Sequence, residues 1–416
     1  GDVNGDGLSD IVVGAPLANP NGGNSGAAYV VFGKTDSGAV NLANAGAAAF
    51  SIRGITTSDL AGGAVDIAGD VNGDGRMDVI VGASGADDDL LFQGQVYVVF
   101  GKDDGTDIEL SEVLAGMGGF GIDGETAGNF LGQAVAGVGD VDGDGFGDLL
   151  LGSPNLDFNG ANAGRAHLIF GKTNGVRVET TDISTGIGGF SLDGEDNVDR
   201  AGGAVAGGGD IDGDGYPGFI IGADGSDLAG NDAGSIYVMF GAGWTGRVGY
   251  VGGLEDETFV GAPANEGMVA GLGADTLRGG GGSDVLYGGA GPDTFEIPLG
   301  QFFRIDGGSG LDTVSIPGLD VVLNLGVIVN NAMVDIEVLD ITGEGDNEVI
   351  LFAEDVRAMV GADNLLQIVG DKGDVADIDL SGGAWAADGA AGGFDRYTDG
   401  VVTLEVSTEI DATVNL

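Results

Sequence analysis

Short runs of Val, Ile and Leu, separated by clusters of Gly, Asp and Asn, recur along the whole chain. One stretch shows the pattern: apolar residues at 134–138, an acidic loop, apolar residues at 149–151 and 166–170, and a further run near 190–192. Runs of this length bounded by turn residues predict β-strands. The pattern therefore predicts an all-β chain in which a unit of about four short strands recurs.

Four landmarks repeat in one register over the first 245 residues, and one of them is a small tripeptide that begins at Gly14, Gly82, Gly152 and Gly222. Acidic segments begin 68, 70 and 70 residues apart, at Gly1, Gly69, Gly139 and Gly209. Phe-Gly pairs keep the same spacing, at Phe32, Phe100, Phe170 and Phe240. A further phenylalanine recurs every 70 residues, at Phe50, Phe120 and Phe190. Shared spacing predicts a structural repeat, and four strands per unit favour a propeller blade over stacked hairpins of a solenoid or sandwich, which stay the alternative.

Each acidic segment has the form D-x-[DN]-x-D-G-x-x-D or a close variant. Oxygen side chains at alternate positions, with Gly where the chain turns sharply, aim ligands at one hard cation, and Ca²⁺ is the expected ion. The expected ligands, including the carbonyls of the fourth residue in each set, are Asp2, Asn4, Asp6, Leu8 and Asp10; Asp70, Asn72, Asp74, Arg76 and Asp78; Asp140, Asp142, Asp144, Phe146 and Asp148; and Asp210, Asp212, Asp214 and Tyr216. Gly218 replaces the last carboxylate of the fourth loop, so this loop is expected to bind calcium most weakly. A solvated acidic turn is the alternative.

A nine-residue period begins at Ala270 and fits G-G-x-G-x-D-x-U-x, where U is apolar. In this pattern the Gly-rich half turns and binds calcium, and the last three residues form a strand. The expected sites are Gly271, Gly273 and Asp275; Gly280, Gly282 and Asp284; Gly289, Gly291 and Asp293; and, after an interruption, Gly308, Gly310 and Asp312. Two repeats should form one coil, with Asp275 and Asp293 at one edge, Asp284 at the other, and Leu277, Leu286 and Phe295 inside. Residues 252–260 read as a decayed copy, and a flexible Gly-rich linker is the alternative.

The 70-residue units resemble FG-GAP repeats, the blades of the integrin α-subunit β-propeller. The GDVNGDG loops, the Gly-Ala-Pro at 14–16 and the Tyr-Val-Val-Phe-Gly strand at 29–33 carry this resemblance over residues 1–245. It implies a propeller usually of seven blades, so further blades are expected upstream of Gly1. A closed four-bladed ring, with residues near 259–271 supplying the missing strand, is the alternative.

The nine-residue repeats resemble the RTX, or hemolysin-type, β-roll of bacterial secreted proteins, here predicted for residues 246–318. The following residues, 319–416, resemble the C-terminal domain of large RTX adhesins exported by type I systems. This second resemblance implies a small β-rich domain with a short helix at 353–360 and an uncleaved C-terminal export signal, in keeping with the lack of an N-terminal signal peptide.

Charge and composition narrow the chemistry further. Acidic residues outnumber basic ones 66 to 14, and a net charge of -52 repels phosphate backbones and anionic headgroups, which excludes nucleic-acid binding and membrane insertion. The chain has no Cys and one His, His167, so disulfides and Cys- or His-rich metal sites are excluded. His167 is expected to fill a strand position. Carboxylates with almost no nitrogen or sulfur ligands again favour calcium.

These observations predict a non-enzymatic, calcium-binding, secreted protein of a bacterium that acts in adhesion or surface attachment. Calcium is scarce in the cytosol and plentiful outside, so the chain would fold after export. The alternatives are a structural subunit of a surface layer, sheath or filament, and an accessory part of a larger secreted hydrolase. Besides calcium, the expected partners are a host or matrix protein, a polysaccharide or a second copy, among which the sequence does not choose.

Overall fold

A computed structural model describes residues 1–44, 46–87, 91–227, 233–246, 248–298, 300–328, 332–360, 364–381 and 384–416. The chain divides into two compact units. The first unit comprises Gly1–Val141, Phe146–Ile211 and Pro217–Gly241. The second unit comprises Asp142–Gly145, Asp212–Tyr216 and Ala242–Leu416. The domain boundaries expected after residues 245 and 318 stay predictions.

The first unit is built from short strands with a few helical turns between them. Its strands are β1 Ile11–Ala15, β2 Ala27–Val31, β3 Ala49–Arg53, β4 Ala64–Gly69, β5 Asp78–Ala83, β6 Gln95–Val99, β7 Ile108–Glu109, β8 Gly119–Asp123, β9 Ala134–Gly139, β10 Asp148–Ser153, β11 Arg165–Ile169, β12 Val178–Glu179, β13 Gly189–Asp193, β14 Ala201–Gly209, β15 Gly218–Ala223 and β16 Ser235–Met239. The helical turns are α1 Leu110–Leu114 and α2 Thr180–Ile183, with 3-10 turns at Leu42–Asn44 and Gly46–Ala48.

These strands form four sheets, named here blades 1 to 4. Their strand orders are β1-β2-β3-β7, β12-β8-β6-β5-β4, β13-β11-β10-β9 and β14-β15-β16. The long strands pair antiparallel, whereas β7 and β12 add in parallel to β3 and β8. Blades 2 and 3 therefore contain the four antiparallel strands that the sequence predicts. Among the described residues, blade 1 has no counterpart of β4, and blade 4 has no counterpart of β8.

Neighbouring blades share hydrophobic cores because successive side chains of a strand point to opposite faces. Val79 and Val81 of β5 belong to the cluster that contains Phe50 of blade 1. Ile80, between them, belongs to the cluster that contains Leu149 of blade 3. Strands β5 and β10 are therefore buried on both faces, which explains why their sequences are continuous apolar runs rather than alternating ones.

Aromatic contacts repeat along the blades with the Phe-Gly landmark. The ring centroids of Phe32 and Phe50 lie 5.7 Å apart, and the equivalent pairs, Phe100–Phe120 and Phe170–Phe190, lie 6.1 and 6.3 Å apart. Lysines after two Phe-Gly pairs lie over the phenylalanine of the preceding blade: Lys102 Nζ is 5.0 Å from the Phe50 ring centroid, and Lys172 Nζ is 4.0 Å from that of Phe120. Cation–π contacts thus add to the packing between blades.

The second unit continues with shorter strands. They are β17 Val248–Gly253, β18 Thr258–Val260, β19 Gly267–Leu272, β20 Thr276–Arg278, β21 Val285–Ala290, β22 Thr294–Glu296, β23 Arg304–Asp306, β24 Thr313–Ser315, β25 Val322–Asn324, β26 Met333–Val334, β27 Val338–Asp340, β28 Glu348–Phe352, β29 Leu365–Val369, β30 Val375–Asp379, β31 Ala386–Ala391, β32 Phe394–Thr398, β33 Thr403–Ser407 and β34 Asp411–Asn415. One helix, α3 Ala353–Met359, and a 3-10 turn, Leu325–Val327, interrupt them. The helix lies where the sequence predicts one.

These strands stack into three mostly parallel sheets. Their orders are β17-β19-β21-β23-β26, β18-β20-β22-β24-β27-β29-β33-β32-β31 and β25-β28-β30-β34. Thr258, Thr276 and Thr294 are aligned across β18, β20 and β22, so one coil of the stack is eighteen residues, or two nine-residue repeats. The apolar residues that follow them in register form an inner column that continues beyond residue 318: Phe259, Leu277, Phe295, Val314, Leu339, Ile368 and Val406.

The pairing in the stack also shows whether residues 252–271 complete a four-bladed ring or belong to the nine-residue repeats. Strands β18 and β19 pair with β20, β17 and β21 inside the second unit, so the hypothesis that residues near 259–271 complete a four-bladed ring is wrong. The predicted decayed repeat at 252–260 instead supplies β18 as a full member of the stack. No helix in the described ranges has the length and apolar character needed to span a membrane.

Replacing Leu149 by Ala should lower the free energy of unfolding of the first unit by about 2–5 kcal/mol, because this fully buried side chain belongs to the core between blades 2 and 3. Urea unfolding in millimolar calcium, followed by circular dichroism, measures the loss. Leu91→Ala is the matched control: this leucine is 70% exposed, and its truncation should cost no more than about 0.5 kcal/mol. Equal shifts of the two midpoints would contradict the packing described.

Candidate calcium sites

The first carboxylate of an acidic loop organises the loop backbone. Asp2 accepts hydrogen bonds from the amides of Gly5, Asp6 and Gly7 at 2.8, 3.1 and 2.7 Å. Asp70 accepts the three equivalent bonds in the second loop, at 2.7, 3.1 and 2.8 Å. The pattern D-x-N-x-D-G therefore folds the same way in both copies.

The middle residues of these loops are held by local hydrogen bonds. Asn4 accepts from the Asp6 amide and donates to Asp6 Oδ2, both at 3.0 Å, and Asn72 and Asp74 repeat this pair. Farther along the loops, the third expected ligand, which is Asp6, Asp74 or Asp214, accepts a hydrogen bond from the amide two residues later. These amides belong to Leu8, Arg76 and Tyr216. The ligand roles expected for the carbonyls of these three residues and of Phe146 stay predictions.

The last carboxylate of the first three loops joins two parts of its blade. Its Oδ2 accepts from an amide one residue after the start of the loop, at 2.7, 2.9 and 2.9 Å for the pairs Asp10–Val3, Asp78–Val71 and Asp148–Val141. Its Oδ1 accepts from the glycine of the Phe-Gly landmark, at 2.6, 2.8 and 2.8 Å for the pairs Asp10–Gly33, Asp78–Gly101 and Asp148–Gly171. Burial raises the pKa of Asp10, and that of Asp78 more strongly. These residues therefore have a structural role in addition to the predicted ligand role.

Carboxylates converge in the third and fourth loops. Asp140, Asp142 and Asp148 are buried and each place one oxygen within 4.8 Å of the others. Asp210, Asp212 and Asp214 do the same in the fourth loop, where the first two are exposed. Oxygen ligands so arranged suit Ca²⁺. The expectation that the fourth loop binds calcium most weakly stays a prediction.

In the second unit, acidic side chains form a column along one edge of the stack. Each side chain after the first accepts a hydrogen bond from the backbone amide of the acidic residue one coil earlier, at 2.7–2.8 Å. The members, in order, are Glu257, Asp275, Asp293, Asp312 and Glu337. Asp284 lies in a separate column, where it accepts from the Glu266 amide at 2.9 Å. One oxygen of each aspartate therefore joins two coils.

The second oxygen of these aspartates has no hydrogen-bond partner. Oδ2 of Asp275, Asp284, Asp293 and Asp312 is buried, and each residue is at most 1% exposed. A Cβ added at Gly279 would lie 2.5 Å from Asp284 Oδ2, and one at Gly307 would lie 2.7 Å from Asp312 Oδ2. In the repeats of Asp284, Asp293 and Asp312, the opening glycine thus leaves room beside an unpartnered carboxylate oxygen. Burying such an oxygen without a cation costs several kcal/mol, so the residues fit bound Ca²⁺.

The glycines at the second and fourth positions of the repeats give the turns their shape. Positive φ angles, which favour glycine, occur at Gly271, Gly273, Gly280, Gly282, Gly289, Gly291 and Gly308, whereas Gly310 adopts an ordinary angle. A Cβ at Gly282 would lie 2.7 Å from the carbonyl oxygen of Ala264, one coil earlier. Backbone oxygens are therefore packed along the turns, where a cation between coils would meet them.

Burial raises the pKa of the aspartates in these columns. The pKa of Asp284 rises to about 6, that of Asp293 to about 7 and that of Asp312 to about 8, with neighbouring carboxylates adding to the effect. Without a cation, the folded roll therefore holds protons in a pH range in which the unfolded chain, whose aspartates have the ordinary pKa of 3.8, has already released them.

Two members of these columns were missed in the sequence. Glu266 lies nine residues before Asp275 and nine after Glu257, so a repeat with Glu in place of Asp was detectable. Glu337 lies 25 residues after Asp312, and this insertion conceals the period.

His167 fills a strand position in β11, where its Nδ1 lies 2.9 Å from Ser191 Oγ and burial lowers its pKa to about 3.

Comparison with known families agrees with this geometry. The FG-GAP repeat family matches residues 1–31, 61–99 and 131–169. The RTX calcium-binding nonapeptide repeat family, in four copies, matches residues 260–295. The chain contains both repeat types. The first unit therefore consists of FG-GAP propeller blades, and the second begins with an RTX β-roll that binds Ca²⁺. Neither matched repeat is an enzyme family.

Similar proteins are integrin α chains. The chain is 30% identical over 233 residues to integrin alpha pat-2 of Caenorhabditis briggsae, covering 54% of this chain and 17% of that protein. It is 28% identical over 244 residues to integrin alpha-V of Gallus gallus, covering 55% and 20%. With integrin alpha-6 of Gallus gallus it shares 34% identity over 154 residues, covering 36% and 12%. The chain thus spans a fifth or less of the length of these relatives.

Asp78→Ala should destabilise the FG-GAP blades with or without calcium, by about 2–4 kcal/mol, because it leaves the amides of Val71 and Gly101 without their acceptor. Asp74→Ala, in the same loop, removes an exposed carboxylate and should weaken calcium binding while changing stability in EGTA by about 0.5 kcal/mol or less. Urea unfolding and calcium titration calorimetry separate the two effects. A loss for Asp78→Ala seen only in calcium would mean that ligation is its main role.

The metal-free roll should become less stable as the pH rises from about 4 to about 8. Folded-state pKa values of about 6 to 8 for Asp284, Asp293 and Asp312 exceed the unfolded value, so the folded state holds more protons throughout this window. Circular dichroism in calcium-depleted buffer containing EGTA, at pH 5 and at pH 8, measures how much of the roll stays folded and tests this.

Two variants complete the pH experiment. Asp293→Asn should reduce the pH dependence in EGTA and also lower the number of calcium ions bound at pH 8. The exposed Asp377→Asn should change neither quantity. Stability in EGTA that is constant or rises between pH 5 and pH 8 would contradict the burial of unpaired carboxylates.

Proposed function

We propose that this chain is part of a secreted bacterial protein that attaches cells to surfaces and that folds on calcium after export by a type I system. The observation that carries the proposal is the series of buried aspartates in the roll with an unpartnered oxygen each. Such side chains favour the folded state when Ca²⁺ is present and oppose it when Ca²⁺ is absent.

The charge of the chain supports the same order of events. With a net charge of -52, the metal-free chain repels itself, and this repulsion opposes compaction. Each bound Ca²⁺ offsets two of these charges and joins neighbouring coils. A chain of this kind stays extended where calcium is scarce and becomes compact where calcium is plentiful, which suits export before folding.

Adhesion is supported by the FG-GAP blades and their similarity to integrin α chains. Among the described residues, the loops of the blades include a partly exposed pair of stacked aromatic rings. Phe92 and Phe130 stack with their ring centroids 5.5 Å apart at an interplanar angle of 15°, and Phe92 is 43% exposed. Both have a φ of +54°, which is unfavourable for so bulky a residue. Equivalent residues of the neighbouring blades share these angles, so the angles belong to the repeat, and the exposed ring of Phe92 is the feature that suits contact with a surface ligand.

Light scattering coupled to size-exclusion chromatography tests the calcium part of the proposal. We expect a compact monomer in millimolar calcium and an expanded chain in excess EGTA, because chelation restores the carboxylate repulsion. An unchanged radius and circular dichroism spectrum in EGTA would refute it. Calcium-dependent growth into large polymers would favour a structural subunit over an adhesin.

Bead retention tests the adhesion part separately. Beads coated with the chain should be retained in calcium, and not in EGTA, on a layer of epithelial cells or on a film of bacterial polysaccharide. Phe92→Ala should reduce retention without changing the radius, whereas the exposed Met117→Ala should leave both unchanged. A chain that is compact in calcium but is retained on neither surface would refute adhesion while leaving calcium-dependent folding intact.

A further inference from the structure

A third column of side chains follows the sheet β25-β28-β30-β34 and repeats the hydrogen bonds of the aspartate columns of the roll. Asn347 Oδ1 accepts from the backbone amide of Val321, one coil earlier, at 2.8 Å, and Asp374 Oδ1 accepts from the amide of Asn347 at 2.9 Å. The carbonyl oxygens of Asn347 and Asp374 accept from the amides of Val375 and Asp411 at 2.8 and 2.9 Å. Both side chains are fully buried. They therefore join successive coils in the way that the aspartates of the roll do.

The glycine that opens the turn has the same place in both kinds of column. A Cβ added at Gly343 would lie 2.7 Å from Asn347 Nδ2, and one at Gly307 would lie 2.7 Å from Asp312 Oδ2. Nδ2 of Asn347 is therefore the counterpart of the aspartate oxygen that has no hydrogen-bond partner. The third column thus repeats the local structure of a predicted calcium site, with an amide group at the position of the unpartnered oxygen.

The columns differ in the contacts of the second polar atom of each side chain. Asn347 Nδ2 donates to the carbonyl oxygen of Ile341 at 3.2 Å, and Asp374 Oδ2 accepts from the amide of Asp371 at 2.8 Å. In the roll, Oδ2 of each of the four aspartates is buried with no such partner. Each side chain of the third column therefore has both polar atoms hydrogen-bonded by the chain itself, which leaves no unpartnered atom for a cation to neutralise.

The chemistry of the backbone groups explains why position 347 is an asparagine. The Val321 amide can only donate and the Ile341 carbonyl can only accept, and the side chain between them offers one acceptor and one donor. An aspartate at this position would turn a charged oxygen toward the Ile341 carbonyl, and a cation would be needed to offset the repulsion between the two oxygens. The asparagine removes this requirement.

We propose that the third column joins the coils of residues 319–416 without calcium, and that the amide group of Asn347 takes the place that a cation takes beside the aspartates of the roll. Loss of calcium would then open the coils that carry these aspartates, while the sheet β25-β28-β30-β34 keeps its hydrogen bonds. The contrast between the two kinds of column rests on the calcium-dependent folding proposed above, and not on export or on attachment to a surface.

Hydrogen exchange followed by mass spectrometry compares the columns within the full chain. In EGTA at pH 8, the amides of residues 291–296 and 310–315 should exchange at least about tenfold faster than in millimolar calcium, because the coils that hold unpartnered carboxylates open. The amides of residues 347–352 and 374–379 should exchange within about threefold of their rates in calcium. Both groups of peptides come from one sample, so each group is the reference for the other.

Asn347→Asp should give the third column the calcium requirement of the roll. The new carboxylate oxygen would face the Ile341 carbonyl without a donor, so in EGTA residues 347–352 should exchange at least about tenfold faster than in the parent chain. Millimolar calcium should restore protection at least in part. Glu344→Gln, at an exposed position of the same turn, also changes the charge by one unit and should leave exchange as in the parent chain.

Either of two results with the parent chain would overturn the proposal. Protection lost by both groups of residues in EGTA would mean that the third column also requires calcium, and it would leave calcium-dependent folding intact. Protection kept by both groups would refute calcium-dependent folding of the roll, and with it the contrast between the columns.

Two results with Asn347→Asp would also overturn it. Exchange in EGTA that matches the parent chain would mean that the bond from Asn347 to Ile341 is not what holds the column. Exchange that is faster to the same extent in calcium and in EGTA would mean that a cation cannot take the place of the amide group.

Discussion

Neutralisation of buried carboxylates is the constraint on which the second unit depends. Each aspartate of the roll uses one oxygen to accept a backbone amide of the coil before it, and this bond fixes the spacing of the coils. The other oxygen is buried without a partner. The same side chain therefore sets the geometry of the stack and requires a cation within it. Removing the charge would keep the spacing but remove the reason to bind metal, and removing the side chain would lose both.

The FG-GAP blades use the same residue type differently. The last carboxylate of the first three loops has both oxygens occupied by backbone amides, and it holds the loop against the Phe-Gly landmark. Convergent oxygens that suit a cation are seen instead in the third and fourth loops. A loop motif therefore combines residues that build the blade with residues expected to bind an ion, and metal loss is expected to affect the roll more than the framework of the blades.

Much of this arrangement could be predicted because exact repetition of short motifs fixes strand register. The 70-residue spacing gave the four-stranded blades, and the nine-residue spacing gave the coil of two repeats with Leu277, Leu286 and Phe295 inside. Beyond residue 315 the inner column continues through Leu339, Ile368 and Val406, but insertions at the corners of the coils change the spacing, so the period disappears from the sequence while the stack persists. The role of Asp10, Asp78 and Asp148 as acceptors of backbone hydrogen bonds could not be predicted either, because an aspartate in the sequence suits a metal ligand and a backbone acceptor equally well.

The coil of two repeats has a consequence for how such a segment can change its length. Alternate repeats occupy opposite edges of the stack, so the loss of one nine-residue repeat would bring the column of Asp284 under that of Asp293 and would place turns where strands had been paired. The loss of eighteen residues would leave both columns aligned. Recombination between repeats in the gene therefore preserves the fold only when it removes or adds a whole coil, and the number of ions held by such a roll should vary in steps set by that coil.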